Sequence, residues 1–171
     1  GGGVIVPIDK ELEIDEIINF MKTAKCSAVV YTGCFNNRLT SRADDMPFID
    51  FFIPIHSDGE NCDSEKVIPH KVMLEMGRNA IESGDTRYME HEIDMDAMCT
   101  IIFTSGTTGS SKGVMLSQRN LTTAAMASCL AIKYDSKTVL VSVLPIHHTY
   151  ELTCGHLAAS NLGATVYINE N

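Results

Sequence analysis

The chain has 171 residues, of which 44% are hydrophobic and 20% charged, a composition typical of a folded globular protein rather than a disordered one. The formal net charge is −9 and the sequence has no cluster of Lys and Arg, which argues against a nucleic-acid partner. No apolar run approaches the roughly 20 residues that a membrane-spanning helix needs, so we expect no integral membrane segment.

The cysteines and the ends of the sequence bear on its location and completeness. None of the six cysteines forms a C-x-x-C pair, and Cys26, Cys99 and Cys129 lie in apolar patterns. Reduced cysteines of this kind, with no signal peptide at the start, favour a cytoplasmic protein. Because the sequence lacks an initiator Met and stops directly after a strand-like run, we interpret it as a piece of a longer protein.

The first thirty residues predict a β-α-β unit. Val4–Val6 is a β-prone run that Pro7 ends, and apolar residues then recur at helical spacing over about 13–24. Residues 27–31 form a short apolar strand before Gly33.

The next segment is harder to interpret. Residues 48–53 favour a strand bracketed by Pro47 and Pro54, and the polar residues that follow, up to 65, predict a loop. A helix is expected from Pro69 to Gly84, with the acidic residues 85–97 as a surface connection after it.

The second half predicts strands that alternate with helices. The predicted strands are 98–103, 138–144 and 164–168, and the predicted helices are 118–131, capped by Ser117, and 149–161, stopped by Gly163. Because these strands are apolar rather than alternating, we expect an α/β fold with a mostly parallel sheet flanked by helices.

The segment TSGTTGSSKG, Thr104–Gly113, is the most unusual stretch of the sequence. Glycines let backbone N–H groups approach an anion, hydroxyls add neutral donors, and Lys112 adds one positive charge. The pattern is therefore typical of a phosphate-binding loop. A flexible surface linker is the alternative, although a linker has no need to follow a buried strand so closely.

Two well-known phosphate loops fit this stretch poorly. The Walker A pattern, G-x-x-x-x-G-K followed by Ser or Thr, needs Gly where Ser111 stands and a hydroxyl where Gly113 stands. The G-x-G-x-x-G pattern fails because Gly106 and Gly109 have no first glycine before them.

The longer segment Ile101–Ser117, IIFTSGTTGSSKGVMLS, resembles the phosphate-loop signature of the adenylate-forming, AMP-binding superfamily, except that Ser111 stands where proline is usual. That superfamily includes acyl-CoA synthetases, adenylation domains of peptide synthetases and luciferases. Two further segments resemble its motifs in the right order, GGVIVPID at 2–9 and LPIHHTYE at 144–151. Residues 144–155 are more similar to the acyl-CoA synthetase branch, that of long-chain fatty-acid–CoA ligases.

This resemblance implies an enzyme of fatty acid metabolism that uses ATP and Mg²⁺. It would join a carboxylic acid, expected to be a fatty acid, to AMP and transfer the acyl group to coenzyme A. Two alternatives stay open: transfer to a carrier-protein thiol, and a module that has lost catalysis and serves in binding or assembly.

The resemblance also implies a domain organisation. Residues 1–171 would be part of the large N-terminal AMP-binding domain, with the C-terminal domain absent and no ligase activity in the fragment alone. A truncated sheet exposes edges and apolar faces, so self-association through those edges is expected.

Finally, the resemblance implies site residues. The β- and γ-phosphates of ATP are assigned to the loop residues Thr104, Ser105, Gly106, Thr107, Thr108, Gly109 and Lys112. Lys112 would act as the catalytic charge near the departing pyrophosphate. His148 would line the pocket for the acid, or else be a structural histidine at a strand end. No metal ligands are assigned, because His147, His148, Cys154 and His156 match no common zinc spacing.

Overall fold

The computed structural model describes residues 2–55, 65–105 and 111–168. The chain divides into two compact units, the first formed by Glu11–Glu92 and the second by Gly2–Lys10 together with Ile93–Asn171. Within the described ranges the strands form three two-stranded sheets, two of them parallel and one antiparallel. Helices and strands alternate along both units, which confirms the predicted α/β class.

The first unit contains two longer and two short helices and a parallel strand pair. Its elements are α1 (Ile14–Thr23), β1 (Ala28–Thr32), α2 (Asn36–Thr40), β2 (Phe51–Ile55), α3 (His70–Glu82) and α4 (Arg87–Glu90), with 3₁₀ turns at Gly33–Phe35 and Ala43–Asp45. The predicted polar loop lies largely outside the described residues, at 56–64. Helix α3 begins directly after Pro69, within one residue of the prediction.

Helix α1 follows from the spacing of its apolar residues. Ile17, Ile18 and Met21 lie on one face and are buried together with Phe20. Acidic residues occupy the first turn and a lysine the last, in the orientation that the helix dipole favours. The prediction for 13–24 is confirmed.

Strand β2 contains Pro54, so the predicted strand 48–53 was placed too early. Pro54 lies opposite Tyr31 in the register with β1, and its side chain is fully buried. The N–H of Phe52 points away from β1, to the carbonyl of Lys66 at 2.9 Å. Because residue 54 presents its backbone nitrogen to that same side, Pro54 removes no hydrogen bond between β1 and β2.

The predicted β-α-β unit over the first thirty residues is wrong. Ile5 pairs in parallel with Thr100, through hydrogen bonds from Ile5 N to Cys99 O and from Ile101 N to Ile5 O at 2.9 and 3.0 Å. The Val4–Val6 run therefore belongs to the second unit, whereas α1 and β1 belong to the first. A pairing across some ninety residues leaves no local signal in the sequence.

The second unit carries the predicted loop. Its elements are β3 (Met98–Ser105), β4 (Ser111–Ser117), α5 (Gln118–Ile132), β5 (Val139–Ser142), a π-helix (Glu151–Ala158), α6 (Ala159–Asn161) and β6 (Thr165–Ile168). Strands β3 and β4 form an antiparallel hairpin, while β5 and β6 are parallel. Helix α5 and the π-helix contact each other, and the π-helix also contacts β5.

Candidate active site

The loop of interest joins the two strands of the β3–β4 hairpin. Thr104 lies opposite Lys112, and Ser105 lies opposite Ser111, in the antiparallel register. The side chains of Thr104 and Lys112 are exposed. Residues opposite each other in such a pair have Cβ atoms about 5 Å apart, so the hydroxyl and the ammonium lie at the same end of the hairpin.

Four of the predicted phosphate-binding residues lie outside the described residues: Gly106, Thr107, Thr108 and Gly109. The structure describes the backbone of Ser105 and both strands that lead to the loop. The positions of Thr104 and Lys112 therefore define the two ends of the loop.

Between the loop and helix α5 the chain forms strand β4, which was not among the predicted strands. Lys112 is the second residue of a strand, and α5 begins only at Gln118. A Walker A lysine opens a helix, so the hairpin geometry is a second argument against that type of loop. The sequence did not predict β4, because most of its residues are exposed and its apolar and polar residues do not alternate as in a half-buried strand.

Gly113, the residue after Lys112, allows the two strands to approach. It lies opposite Phe103, and a Cβ at this position would be 3.1 Å from Ile101 Cγ2 and 3.4 Å from Phe103 Cε1. A larger residue here would force the side chain of Ile101 or Phe103 to shift by a few tenths of an ångström. Glycine at 113 therefore helps to set the distance between Lys112 and the loop-bearing strand.

Strand β3 anchors the loop in the second unit. Cys99, Thr100, Ile101 and Ile102 are buried, with β4 on one side and Ile5 on the other. The upstream motif at 2–9 thus lies against the strand that carries the phosphate-loop motif, although about ninety residues separate them in the sequence.

The upstream motif also meets the LPIHHTYE motif. His147 Nε2 lies 3.6 Å from Asp9 Oδ2, too far for a hydrogen bond but close enough for an electrostatic contact. Burial lowers the pKa of His147, and the neighbouring His148 lowers it further, while Asp9 acts in the opposite direction. The neutral imidazole is therefore the favoured form of His147 at neutral pH.

His148 is exposed at the end of a tight turn. Its N–H donates to the carbonyl of Pro145 at 2.9 Å, and its own carbonyl accepts from Leu152 N at 3.0 Å. Its ring lies 4.6 Å from the ring of His147, at an interplanar angle of 36°. The imidazole of His148 is thus held by its backbone and presented to the surface.

A buried polar cluster near this turn escaped the sequence reasoning. Glu151 is only 5% exposed, its Oε1 atom lies 3.7 Å from His156 Nε2, and that nitrogen lies 3.3 Å from Ser142 Oγ. The sequence offered one weak signal, an acidic residue inside an otherwise uncharged helical segment.

The histidines and cysteines of this region have separate partners. Cys154 Sγ lies 3.3 Å from Ser128 Oγ, and Cys129 Sγ lies 3.5 Å from the carbonyl of Ala158. In the part of the chain that the structure describes, no three His, Cys, Asp or Glu residues are placed to hold a metal ion together. The described helices also include none with the length and hydropathy needed to cross a membrane.

The comparison with protein families gives one match over the whole chain. The family described as AMP-binding enzyme matches residues 1–171. The chain is 30% identical over 154 residues to long chain acyl-CoA synthetase 6, peroxisomal, of Arabidopsis thaliana, covering 86% of this chain and 21% of that protein. It is 26% identical over 171 residues to a chloroplastic long-chain-fatty-acid–acyl-carrier-protein ligase of the same plant, covering 90% and 24%.

The solved structures show the same fold. The ATP-bound structure of MatB from Rhodopseudomonas palustris matches with a TM-score of 0.70 at 22% identity, covering 99% of this chain and 30% of that one. At this level of identity the likeness establishes the fold. The chain spans about a fifth to a third of the length of the curated relatives it matches.

Proposed function

Because this chain belongs to the AMP-binding enzyme family, we propose that it forms part of an ATP-dependent ligase that activates a carboxylic acid as an acyl-adenylate. One observation carries the proposal: the glycine- and hydroxyl-rich loop closes a hairpin in which Lys112 lies opposite Thr104. The names of the relatives support a fatty acid as substrate and coenzyme A as acyl acceptor.

The first step of this reaction joins two anions. A carboxylate oxygen attacks the α-phosphorus of ATP, the bond to the bridging oxygen breaks, and pyrophosphate leaves with the electron pair. We assign the loop residues from Thr104 to Gly109 to the β- and γ-phosphates, where their hydroxyl and N–H donors would offset charge. Lys112 would neutralise the charge that develops on the departing pyrophosphate.

In the second step the thiol of coenzyme A attacks the acyl carbon and displaces AMP. We assign His148 to the wall of the pocket where the acid and the thiol meet, because its imidazole is exposed within the LPIHHTYE motif while its backbone is held in a turn. Mg²⁺ would accompany the nucleotide phosphates. Within the described residues no cluster of acidic ligands suggests which side chains hold it.

Acid-dependent exchange of pyrophosphate into ATP tests the adenylation step. We expect the full-length protein that contains residues 1–171 to catalyse this exchange with long-chain acids and less with short or aromatic ones. If the folded protein catalyses exchange with none of these acids, the result would contradict the proposal and favour a non-catalytic binding or assembly module.

A carrier-protein thiol is the second candidate acceptor, since one relative is named as an acyl-carrier-protein ligase. Release of AMP with free coenzyme A and with acyl carrier protein, measured side by side, separates the two acceptors. We expect coenzyme A to be preferred.

We propose that residues 1–171 form part of the N-terminal AMP-binding domain, that they have no ligase activity by themselves, and that the enzyme is cytoplasmic. Two relatives are named as peroxisomal and chloroplastic, so imaging of the fluorescently tagged full-length protein is the direct test of location.

A further inference from the structure

Glu151 is a buried carboxylate to which the proposed chemistry gives no role. Its side chain is 6% exposed, and its Oε1 atom has no hydrogen-bond partner among the described residues. Burying a carboxylate without hydrogen-bond partners is costly. The first turn of the helix offsets part of this cost, because the positive end of its dipole lies there.

The wide turn of the π-helix determines what surrounds this carboxylate. Hydrogen bonds in a π-helix join residue i to i+5, so His156 follows Glu151 by one turn and Gly155 lies beside it. A Cβ at Gly155 would be 2.5 Å from Glu151 Oε1 and 2.8 Å from its Cδ. Glycine at 155 therefore lets the carboxylate lie against the helix surface at this position, and any side chain there would displace it.

The imidazole of His156 completes the cluster. Its Nε2 atom lies 3.3 Å from Ser142 Oγ and 3.7 Å from Glu151 Oε1. A bare nitrogen would direct its lone pair at a carboxylate oxygen, which is repulsive. The surroundings therefore favour a hydrogen on Nε2, donated to the serine oxygen and facing the carboxylate.

The cluster lies one helical turn from His148. The carbonyl of His148 accepts the N–H of Leu152, the residue after Glu151. Ser142 ends β5, the strand that precedes the His148 turn. The segment that carries His148 is therefore bounded by β5 on one side and the π-helix on the other. The contacts of His156 with Ser142 and Glu151 connect these two elements.

We propose that Glu151 is a positioning residue: its buried carboxylate holds His156 in the Nε2–H form and fixes the turn that places His148 at the acid pocket. This inference rests on the proposed function for the role of His148, but not for the contact between Glu151 and His156. It requires that binding of the acid depends on Glu151, whereas binding of ATP does not.

The test uses the full-length protein with ¹⁵N-labelled histidine. In Glu151→Gln a side-chain amide replaces the carboxylate and can donate to a bare Nε2, so we expect the ¹⁵N shift of His156 Nε2 to move from the protonated toward the unprotonated range. In pyrophosphate exchange, the KM for the acid should rise about tenfold, because the imidazole loses its electrostatic contact and the turn that carries His148 is held less firmly, with the KM for ATP unchanged.

Gly155→Ala provides a steric test of the same contact. The added methyl group displaces the carboxylate without changing any polar group, so it should raise the KM for the acid as Glu151→Gln does. In a Glu151→Ala background, where the clash is gone, Gly155→Ala should add little. Gly77→Ala is the matched control, because a Cβ at this helical glycine meets no atom within 4 Å.

Two results would overturn the inference: an unchanged His156 tautomer in Glu151→Gln, or KM values for acid and ATP that rise together. Absence of exchange in the wild-type protein would instead contradict the proposed function. The tautomer of His156 and its response to Glu151→Gln would then still decide whether Glu151 controls this imidazole.

Discussion

Lys112 and Gly113 are adjacent in β4 and lie on opposite faces of the hairpin. Gly113 shares a face of the hairpin with the half-buried Phe103, where a Cβ would contact Ile101 and Phe103 closely. Lys112 points to the other face, beside the exposed Thr104. Because side chains alternate between the two faces of a β-strand, Lys112 lies in solvent while Gly113 packs against the neighbouring strand.

Lys112→Ala should slow adenylate formation by about a hundredfold or more, because it removes a charge that acts on the leaving pyrophosphate. Since the side chain is exposed, the free energy of unfolding should change by less than about 0.5 kcal/mol. Single-turnover formation of the adenylate by the full-length enzyme measures the effect, with the exposed Lys137→Ala as control. Adenylate formation at the wild-type rate would refute the role of Lys112.

His147 should make stability depend on pH. Because its pKa is lower in the folded protein than in the unfolded chain, the unfolded state takes up the proton first as pH falls. Its stabilising contribution is fully present above the unfolded value of about 6.5 and is lost as pH falls through the folded value.

Urea unfolding at about pH 7.5 and about pH 5 measures this dependence. His147→Gln should lose less stability between the two pH values than the wild-type protein does. Equal losses in both proteins would show that His147 does not contribute to the pH dependence.

At the scale of single elements, α5 begins and ends with local signals. Asn120 N donates to Ser117 Oγ at 3.2 Å, and Ser117 N donates to Asn120 Oδ1 at 3.0 Å, which together form a capping box. Lys133 ends the helix in the left-handed conformation, with φ at 57°. The cap at the start depends on two residues three positions apart, which explains why the start of the helix was predicted at the observed residue.

Ser117→Ala should cost about 1 kcal/mol of stability, because the N–H of Asn120 loses its acceptor at the start of the helix. Ser117→Asp keeps an acceptor and should be close to neutral. The urea unfolding midpoints of the two variants and the wild type measure the difference. An alanine variant as stable as the aspartate variant would show that the cap contributes nothing.

The π-helix is an element that the sequence predicted only in part. The segment 149–161 was predicted to be a helix that stops at Gly163, and Gly163 does adopt a positive φ of 70°. The wide turn between Glu151 and Ala158 was not predicted, since helical periodicity alone does not distinguish it from an α-helix.

At the scale of the whole molecule, the second unit brings together three motifs that are distant in the sequence. The segment 2–10 contributes Ile5 to β3 and Asp9 to the contact with His147. The π-helix packs on one face of the β5–β6 sheet. On the other face Val139, Val141 and Tyr167 are 61%, 63% and 65% exposed. Such an apolar face favours contact with another surface.

We therefore expect residues 1–171 by themselves to self-associate. Val141→Lys should reduce that association, because it places a charge in the centre of the exposed face, and should leave the fold intact. Sedimentation velocity over a range of concentrations measures the association. A monomeric wild-type chain, or an unchanged oligomer in Val141→Lys, would contradict the expectation.

The sequence by itself determined the features that depend on neighbouring residues. The sequence predicted helix α1, the Ser117 cap and the buried strand β3, because periodicity and capping depend on residues a few positions apart. The family motifs could be recognised for the same reason. Family membership followed from the order of three short motifs, and the match over residues 1–171 confirms it.

The tertiary structure decided which distant segments meet. It paired Ile5 with Thr100, placed Lys112 on a hairpin strand opposite Thr104, and buried Glu151 beside His156. The roles of Lys112 and His148 stay predictions. Pairing between distant segments, and burial of a single carboxylate, depend on how all the helices and strands pack against each other. No short stretch of sequence contains that information.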